Sequence, residues 1–335
     1  MQRPFEVQRE LFVSAVDLDH PALCELDGAE AVLDWHKLEG LMSCIYASTS
    51  GRSSYPSLTL FRALLLGIWY GLSDVALSKS LARDLLFRKF CRLELGHGTP
   101  DDSTLCRFRD ELAKADLWEV LMGEVHEQLE SQHIIMTQGR INIVDATPIE
   151  AAQSGSGTRK DGTPKRDADA DWHVKANSRG HKTSTYGYSV HVGVDEDGFI
   201  HRTTVTPGNV HDSQERDTLL LGDEAQFYGD AAYSSQETQQ KLARHGIEDK
   251  VQRKAYRNHP LSQEDKMRNA EIAVTRSGGE RPFATYKRHY GLARTRLMGL
   301  AKNLNFFGIV AIAYNIKKAA KFLQLYGQRK PHYAG

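Results

Sequence analysis

The sequence feature that most constrains the fold is a change of hydrophobic periodicity near residue 135. Before it, apolar residues recur at helical spacing: residues 57–70 predict an apolar helix, residues 74–86 an amphipathic one, and residues 103–121 a third. We find no strand pattern in this part of the sequence. Residues 1–135 are therefore predicted to form an all-helical domain.

After residue 135 the pattern becomes that of strands. Short apolar or alternating runs predict strands at 140–144, 186–194, 199–205, 225–228 and 247–251, and helical patterns lie at 235–245 and from 282 onward. A strand, a hairpin, a strand–helix–strand unit and a closing helix make a mixed sheet flanked by helices, in the order of an RNase H-like domain. The predicted class is α+β: this RNase H-like domain spans residues 136–335, with a mobile loop at about 153–182 that is rich in small and charged residues.

Charge is divided unevenly along the chain. The formal net charge is zero, but the residues from Arg276 onward contain twelve Lys or Arg and one acid, Glu280, which leaves 31 basic and 42 acidic residues before them. A solvated helical face explains such a basic run, and so does a surface for a polyanion. The C-terminal region is the candidate for contact with nucleic acid.

Composition excludes several classes of protein. The four cysteines have no paired short spacing and no signal peptide precedes them, so we expect reduced thiols in the cytoplasm and no zinc site. The longest apolar stretches fall well short of the roughly 20 residues of a membrane span. We therefore expect a soluble protein with no membrane partner.

Three acids stand in settings suited to a catalytic site. Asp145 ends the apolar run 141–144, Asp230 ends the run 226–229, and Glu280 opens a basic helix after two glycines. Each alone is explained as a turn cap or a helix-start charge. Together, two acids at strand ends and one from a helix can converge on two divalent cations that hold the attacking and leaving oxygens of a phosphodiester. The set predicts a metal-dependent nucleic-acid enzyme.

Several segments carry a family resemblance. The stretch 276–314, the helical segments 55–91 and 100–109, and the motifs Tyr-Gly-Tyr (186–188), Thr-Pro-Gly-Asn-Val-His-Asp-Ser (206–213) and Tyr-Gly-Asp-Ala-Ala-Tyr-Ser-Ser (228–235) resemble bacterial insertion-sequence DDE transposases of the insertion-sequence-five group. The resemblance covers residues 40–320 approximately. It implies that Asp145, Asp230 and Glu280 are the catalytic, metal-binding triad.

The resemblance also implies partners and further site residues. It implies two Mg²⁺ ions per site with Mn²⁺ as a substitute, terminal inverted repeats and target DNA as substrates, a homodimer on DNA, and a bacterial cytoplasmic protein that joins the nucleoid when bound. Arg276 and Lys287 match the signature around the glutamate, and Lys287 lies two turns from Glu280 on nearly the same helix face, where its ammonium can contact a phosphate. Arg288 and Arg294 belong to the same basic region and are expected to contact DNA.

Two positions depart from the family pattern. Ala273 stands where the signature has a tyrosine, so Tyr286 or Tyr290 would have to supply the function of that tyrosine. Ser189 stands in place of a lysine after Tyr-Gly-Tyr. In the helical domain, Arg107 and Arg109 are candidates for DNA contact or for surface ion pairing with neighbouring acids. A transposase-derived DNA-binding protein, an RNase H-like nuclease without strand transfer, and a helical interaction protein remain as alternatives.

Overall fold

The structure is a computed structural model that describes residues 20–46, 54–135, 140–154, 158, 160, 162, 166–176, 182–255 and 259–327. Its helices are α1 (Asp27–Ala31), α2 (Trp35–Leu41), α3 (Ser57–Trp69), α4 (Asp74–Arg83), α5 (Leu85–Cys91), α6 (Asp102–Lys114), α7 (Trp118–Ser131), α8 (Arg216–Leu219), α9 (Gln236–Arg244), α10 (Gln263–Arg276), α11 (Glu280–Arg288) and α12 (Leu300–Tyr326). Short 3₁₀ helices lie at Pro21–Cys24, Asp212–Gln214, Ala231–Tyr233 and Ser277–Gly279.

Six strands form one mixed sheet. They are β1 (Ile141–Glu150), β2 (Asp171–Ala176), β3 (Lys182–Val194), β4 (Ile200–Pro207), β5 (Gln226–Gly229) and β6 (Glu248–Val251). The order is β2-β3-β1-β5-β6, and β4 also pairs with β3. The first strands are antiparallel, whereas β5 is parallel to β1 and β6 is parallel to β5. A helical N-terminal part followed by a mixed sheet with flanking helices confirms the predicted α+β class.

Apolar side chains on the two faces of the sheet pack in separate cores. One face of β1 contributes Val144 to a small core with Phe227, Tyr233 and Leu242. The other face contributes Ile143 to a large core that also contains the helices of the N-terminal part. Helix α12 lies between those helices and the sheet: Trp69 Nε1 donates to Ala313 O at 2.9 Å, and the Asn315 amide bonds both backbone groups of Ile200. The division into domains at residue 135 stays a prediction, because one core serves both parts.

The first strand is longer than predicted. It was expected to end at residue 144 with Asp145 at a turn, but β1 continues to Glu150, and its pairing with β3 runs without a break from Ile143 to Glu150. Pro148 is tolerated because β5 pairs only with residues 141–143, which leaves that edge of β1 without a neighbouring strand at position 148. Asp145 therefore lies inside a strand and does not cap a turn.

Other differences also arise from backbone interactions. The predicted loop at 153–182 contains β2, which backbone hydrogen bonds hold to β3 with little help from apolar residues. The helix predicted at 74–86 ends at Arg83, because Asp84 leaves helical geometry and caps α5 through the amide of Leu86. The helix predicted at 103–121 is α6 and α7 with a break at Asp116, whose φ is 50°. Helix α10 was not predicted.

The strands predicted at 199–205, 225–228 and 247–251 and the helix predicted at 235–245 agree with β4, β5, β6 and α9 to within about two residues at each end. The strand predicted at 186–194 is β3, which begins four residues earlier, and the helical pattern from 282 onward is divided into α11 and α12. The four cysteines are free thiols. Among the described helices, none has by itself the length and apolarity to cross a membrane; α3 and α4 together meet that test on length and composition alone, and they are bent at 110° to each other.

Candidate active site

Strands β1 and β5 bring two of the three acids to one place. Ile143 pairs with Tyr228 in parallel register, and Asp145 and Asp230 each follow two residues later. Neighbouring strands are separated by about 4.8 Å, and residues two apart point to the same face. The two carboxylates therefore lie at the carboxyl end of β5 on the face of the sheet that α10 and α11 cover.

The two glycines before Glu280 allow the third acid to approach β1. A Cβ on Gly279 would lie 3.0 Å from Ile143 Cγ2 and 3.5 Å from Asp145 Cβ, and one on Gly278 would lie 3.4 Å from Ile143 Cδ1. The 3₁₀ helix of Ser277–Gly279 therefore packs its backbone directly on the strand that carries Asp145. Glu280 is the next residue and begins α11, as predicted. The two glycines lie in the short 3₁₀ helix between α10 and α11, so they are not inside either α-helix.

An arginine lies between the acids. Arg276 Nη1 is 3.6 Å from Asp145 Oδ1, and its Nη2 is 3.3 Å from Glu280 Oε1. Burial raises the pKa of Asp145 to about 6; Arg276 and the amide of Ala146 oppose the shift, and Asp230 and Glu280 add to it. Asp230 and Glu280 thus act electrostatically on Asp145, and Arg276 offsets part of the negative charge through its contacts with Asp145 and Glu280.

Lys287 is held against the same strand. Its Nζ donates to Thr147 Oγ1 at 2.6 Å. Thr147 follows Asp145 by two residues on β1, so both side chains point to the face that α11 covers. Burial lowers the pKa of Lys287. Thr147 was not predicted as a site residue, because only the continuation of β1 past Asp145 places it on the same face as that acid.

The other basic residues predicted for DNA lie in different settings. Arg288 is exposed near the end of α11. Arg294 is half-exposed and forms an ion pair with Glu150 at the end of β1. Both lie in the region that follows Glu280, but ion pairing occupies part of the Arg294 guanidinium.

The arginines of the N-terminal helices have no contact with the three acids in the part of the chain that the structure describes. Arg109 is largely buried and bonds Asp74 at 2.6 Å, which ties α6 to α4. Arg107 is exposed, and its nearest partners are the hydroxyls of Ser103 and Thr104. The N-terminus of α6 is capped by Asp101, which accepts from the Thr104 amide at 2.7 Å, so a carboxylate occupies this helix end.

The proposed substitutes for the missing tyrosine are not available to DNA. Tyr286 is fully buried and Tyr290 is 6% exposed, and Tyr286 packs against the rings of Phe283 and Phe307. Both are core residues, so the expectation that either replaces a tyrosine at the exposed position of Ala273 is wrong. Ser189 is also buried, and within the described residues its hydroxyl has no hydrogen-bond partner.

A fourth acid lies near Asp230. The 3₁₀ helix Asp212–Gln214 packs against Ala231–Tyr233, which Asp230 caps through the amide of Ala232 at 2.9 Å. Burial raises the pKa of Asp212 and Asp230 adds to the shift, while His173, His211 and Lys175 oppose it. Asp212 Oδ1 is 3.8 Å from Nδ1 of His191, a fully buried histidine whose pKa burial lowers to about 4. This pair is not an ion pair at neutral pH, because His191 is uncharged.

The donor chemistry of the site suits a hard divalent cation. Arg276 contacts the carboxylates of Asp145 and Glu280, and the buried Asp145 also feels the negative charge of Asp230, so positive charge is favoured beside it. Among the described side chains, no three acids, histidines or cysteines are grouped closely enough to hold a metal ion. In this arrangement the Arg276 guanidinium provides the positive charge beside Asp145 and Glu280.

The sheet thus carries an acid on its first strand, a second after the neighbouring parallel strand and a third on a helix packed against the first strand. Residues 136–316 match the family model described as "Transposase DDE domain", and residues 14–111 match "Transposase domain (DUF772)". The chain therefore belongs to the DDE transposase family. It is a DNA transposase, an enzyme of DNA strand cleavage and strand transfer, and the family implies dependence on a divalent metal ion.

A solved structure with similarity to this chain is the piggyBac transposase in a synaptic complex with hairpin DNA, determined by cryo-electron microscopy. It is 11% identical in sequence, and the match covers 94% of this chain and 78% of that chain with a TM-score of 0.42.

Proposed function

We propose that this transposase cleaves the ends of an insertion sequence at a site built from Asp145, Asp230 and Glu280, and joins the freed 3′ hydroxyl to target DNA. The observation that supports it best is the packing of Gly278 and Gly279 on β1, which sets Glu280 beside Asp145 while parallel pairing sets Asp230 beside both. Two acids distant in sequence thus come within electrostatic range of Asp145. A structural role for each acid alone does not explain that convergence.

The chain's own residues provide orientation and charge. Asp230 is fixed by the hydrogen bond from Ala232, and Asp145 by its place inside β1. Lys287 lies seven residues after Glu280, about 10.5 Å along α11, with its ammonium held by Thr147, a position suited to a phosphate of the bound strand. Arg276 is suited to move from the acids to a phosphate when DNA and cations enter.

We assign Mg²⁺ as the physiological ion, two per site, with Mn²⁺ as a substitute. Carboxylates are the hard oxygen ligands that Mg²⁺ prefers, and Asp145, Asp230 and Glu280 would hold the ions. Bound there, they would activate the attacking oxygen and stabilise the leaving one.

DNA is the partner, in the form of terminal inverted repeats and target duplex. The basic region with Arg288 and Arg294 is suited to nonspecific contact with the DNA backbone. In the N-terminal helices, Arg107 is a better candidate for DNA contact than Arg109, because Arg109 forms an ion pair with Asp74. We further propose a homodimer on DNA, because two ends must be joined together, and action on the nucleoid in the bacterial cytoplasm.

Substitution of the three acids tests the site. Asp145→Asn, Asp230→Asn and Glu280→Gln should each lower cleavage of a labelled element end below about one hundredth of the wild-type rate, while DNA binding persists. Lys302→Gln is the control. Lys302 lies in the first turn of α12 and pairs with Asp110, so this variant should cleave normally. Wild-type cleavage by any one of the three acid variants contradicts the assignment.

The products distinguish the remaining functions. Incubation of wild-type protein with Mg²⁺, a labelled end and a plasmid should yield joined species. Cut or nicked DNA without joined species indicates a nuclease, and binding without any cut indicates a DNA-binding descendant that has lost catalysis.

A further inference from the structure

Strand β3 extends past its partner β1 and forms a β-ribbon with β2. The pairing of β3 with β1 ends at Glu150 and Gly187, whereas its pairing with β2 covers residues 182–187. The five residues of β3 beyond Gly187 extend about 17 Å. They extend in the direction in which β1 runs from Asp145 to Glu150. The ribbon, which consists of β2 and residues 182–186 of β3, therefore lies beyond the sheet edge where β5 ends.

Strand register shows which face of the ribbon lies on the side of the acids. Asp145 pairs with Val192 of β3, and side chains an even number of residues apart along a strand share a face, so Tyr186 lies on the face of Asp145. Trp172 of β2 pairs with Tyr186 and shares that face. By the same alternation, this face of the ribbon also carries Val174 and Lys182.

The covered part of this face ends at Tyr186. Tyr188, the preceding position on the same face, is fully buried, and its hydroxyl donates to Asp167 Oδ2 at 2.8 Å. Asp167 also accepts from the Gly299 amide at 3.1 Å, directly before α12. The chain between α11 and α12 therefore covers the face as far as Tyr188, and the ribbon extends past that cover.

Beyond Tyr186 the ribbon exposes apolar side chains. Trp172 is 45% exposed and Val174 is 57% exposed. The Trp172 ring meets the Tyr186 ring edge-on, with 5.3 Å between centroids. Since Tyr186 is itself only 6% exposed, it holds the indole in place while much of the indole remains open to solvent.

Cations accompany the exposed ring. Lys182 is exposed on the same face, and the exposed Arg166 places its Cζ 4.8 Å from the centroid of the Tyr186 ring. Asp171 pairs with Gly187 and points to the opposite face, as does Lys175. The face on the side of the acids thus combines an aromatic ring with positive charge, a combination typical of surfaces that bind single-stranded nucleic acid.

We propose that the face bearing Trp172, Val174 and Lys182 binds unpaired bases of the DNA strand at the acid site, with a base stacked on Trp172 and Lys182 at a neighbouring phosphate. A paired duplex keeps the faces of its bases inside the stack, so an exposed indole suits a base that has left it. Unpairing costs least where DNA is already single-stranded, and cleavage creates a strand end.

The distance sets the part of the strand that is bound. Asp145 pairs with Val192 and Trp172 with Tyr186, so six residues of β3 separate the two positions. These span about 20 Å, or about six nucleotides of a strand. The inference rests on the proposed function, because it takes the strand at the acids as its ligand.

Two DNA probes and two substitutions of Trp172 test the stacking. One probe is a fully paired duplex, and the other is the same duplex with a single-stranded extension of about six nucleotides. Binding is measured by anisotropy without divalent cations, so that neither probe is cut. Trp172→Ala should weaken binding of the extended probe about tenfold and of the paired probe less than about twofold. Trp172→Phe retains a ring and should bind the extended probe nearly as wild type does. Equal effects of Trp172→Ala on both probes, or none on either, overturn the proposal.

The two lysines on opposite faces of the ribbon provide a matched pair. Lys182→Glu should weaken binding of the extended probe severalfold and reduce the slope of log affinity against log salt by about one, whereas Lys175→Glu should change affinity less than about twofold. Equal weakening by both variants, or greater weakening by Lys175→Glu, contradicts the assignment of the face.

Tryptophan quenching reports on the same face without substitution. Trp35, Trp69 and Trp118 are at most 7% exposed, so acrylamide acts mainly on Trp172. The extended probe should protect Trp172 from the quencher, and the paired probe should not. Equal protection by both probes assigns the face to duplex DNA, and protection that grows with protein concentration in the absence of DNA assigns it to a second copy. Either result overturns the proposal.

Cleavage by the same preparations separates failure of this inference from failure of the proposed function. If wild-type protein cuts and joins an element end while Trp172→Ala binds both probes as wild type does, the ribbon surface is wrong and the proposed function stands. If wild-type protein forms no cut or joined DNA while Trp172→Ala still loses affinity for the extended probe alone, the proposed function is wrong and the surface stands.

Discussion

At the residue scale, Thr147 controls the position of Lys287. The Lys287 ammonium is half-buried and donates to the Thr147 hydroxyl at 2.6 Å. Thr147→Val keeps the shape of the side chain but removes the acceptor. Because hydrogen bonds to charged groups contribute about 1.5–3 kcal/mol, we expect the rate of end cleavage to fall at least tenfold. Single-turnover cleavage measures it.

Thr147→Ser is the control, since it keeps the hydroxyl and should cleave at nearly the wild-type rate. In a Lys287→Ala background, Thr147→Val should have little further effect if the two residues act together. Equal cleavage by the Val and Ser variants would show that Thr147 only fills space in the strand.

His191 makes stability depend on pH. Its folded pKa of about 4 lies below the ordinary value of 6.5, so the unfolded chain takes up a proton first as pH falls. This part of the stability is present above pH 6.5 and is lost as pH falls towards 4, by up to about 3 kcal/mol. Urea unfolding at a series of pH values should give a shallower acid slope for His191→Gln than for wild type.

The slope, and not the absolute stability, is the relevant quantity, because the substitution also changes packing. Burial is the main cause of the low pKa of His191, the charge of His173 lowers it further, and Asp212 lies 3.8 Å from the ring. An unchanged slope would mean that His191 has the same pKa in the folded and the unfolded chain.

At the scale of elements, the contact of Ser277–Gly279 with β1 determines where Glu280 lies. Gly279→Ala would place a Cβ 3.0 Å from Ile143 Cγ2 and force the 3₁₀ helix away from the strand. We expect a loss of about 1–3 kcal/mol in the free energy of unfolding and a marked fall in cleavage. Thermal denaturation and end cleavage measure the two effects.

Gly123→Ala is the matched control. Gly123 lies within α7, and a Cβ there meets nothing within 4 Å. Alanine should stabilise the helix by about 1 kcal/mol and leave cleavage unchanged. If Gly279→Ala cleaves as well as Gly123→Ala, the close contact is not what sets Glu280.

Predicted and observed elements agree where the local side-chain pattern decides the structure, and differ where strand pairing decides it. Sequence periodicity located α9, β4, β5 and β6, because local side-chain pattern decides such elements. It did not locate β2 or the second half of β1, whose strand conformation depends on pairing with β3. Non-local backbone hydrogen bonds leave little trace in the order of apolar residues.

At the scale of the whole molecule, α12 joins the N-terminal helices to the sheet. A Cβ on Gly308 would lie 2.4 Å from Trp118 of α7, and Asn315 on the same helix bonds the backbone of β4. Because one core spans both parts, calorimetry should record a single unfolding transition. Residues 136–335 expressed alone should fail to fold stably, since one side of α12 would be exposed. Two separate transitions, or a stable fragment with a cooperative melt, would establish independent domains.

The sequence by itself determined the fold class and the helical first part, and it selected the three acids and Lys287 as the candidate site, since these depend on local periodicity and on motif spacing. The tertiary structure alone decided that Asp145 lies inside a strand, that Thr147 holds Lys287, and that Tyr286 and Tyr290 are core residues. These facts depend on strand register and on close packing between segments distant in sequence. Such contacts are set by which backbones can approach one another, as at Gly279 on β1.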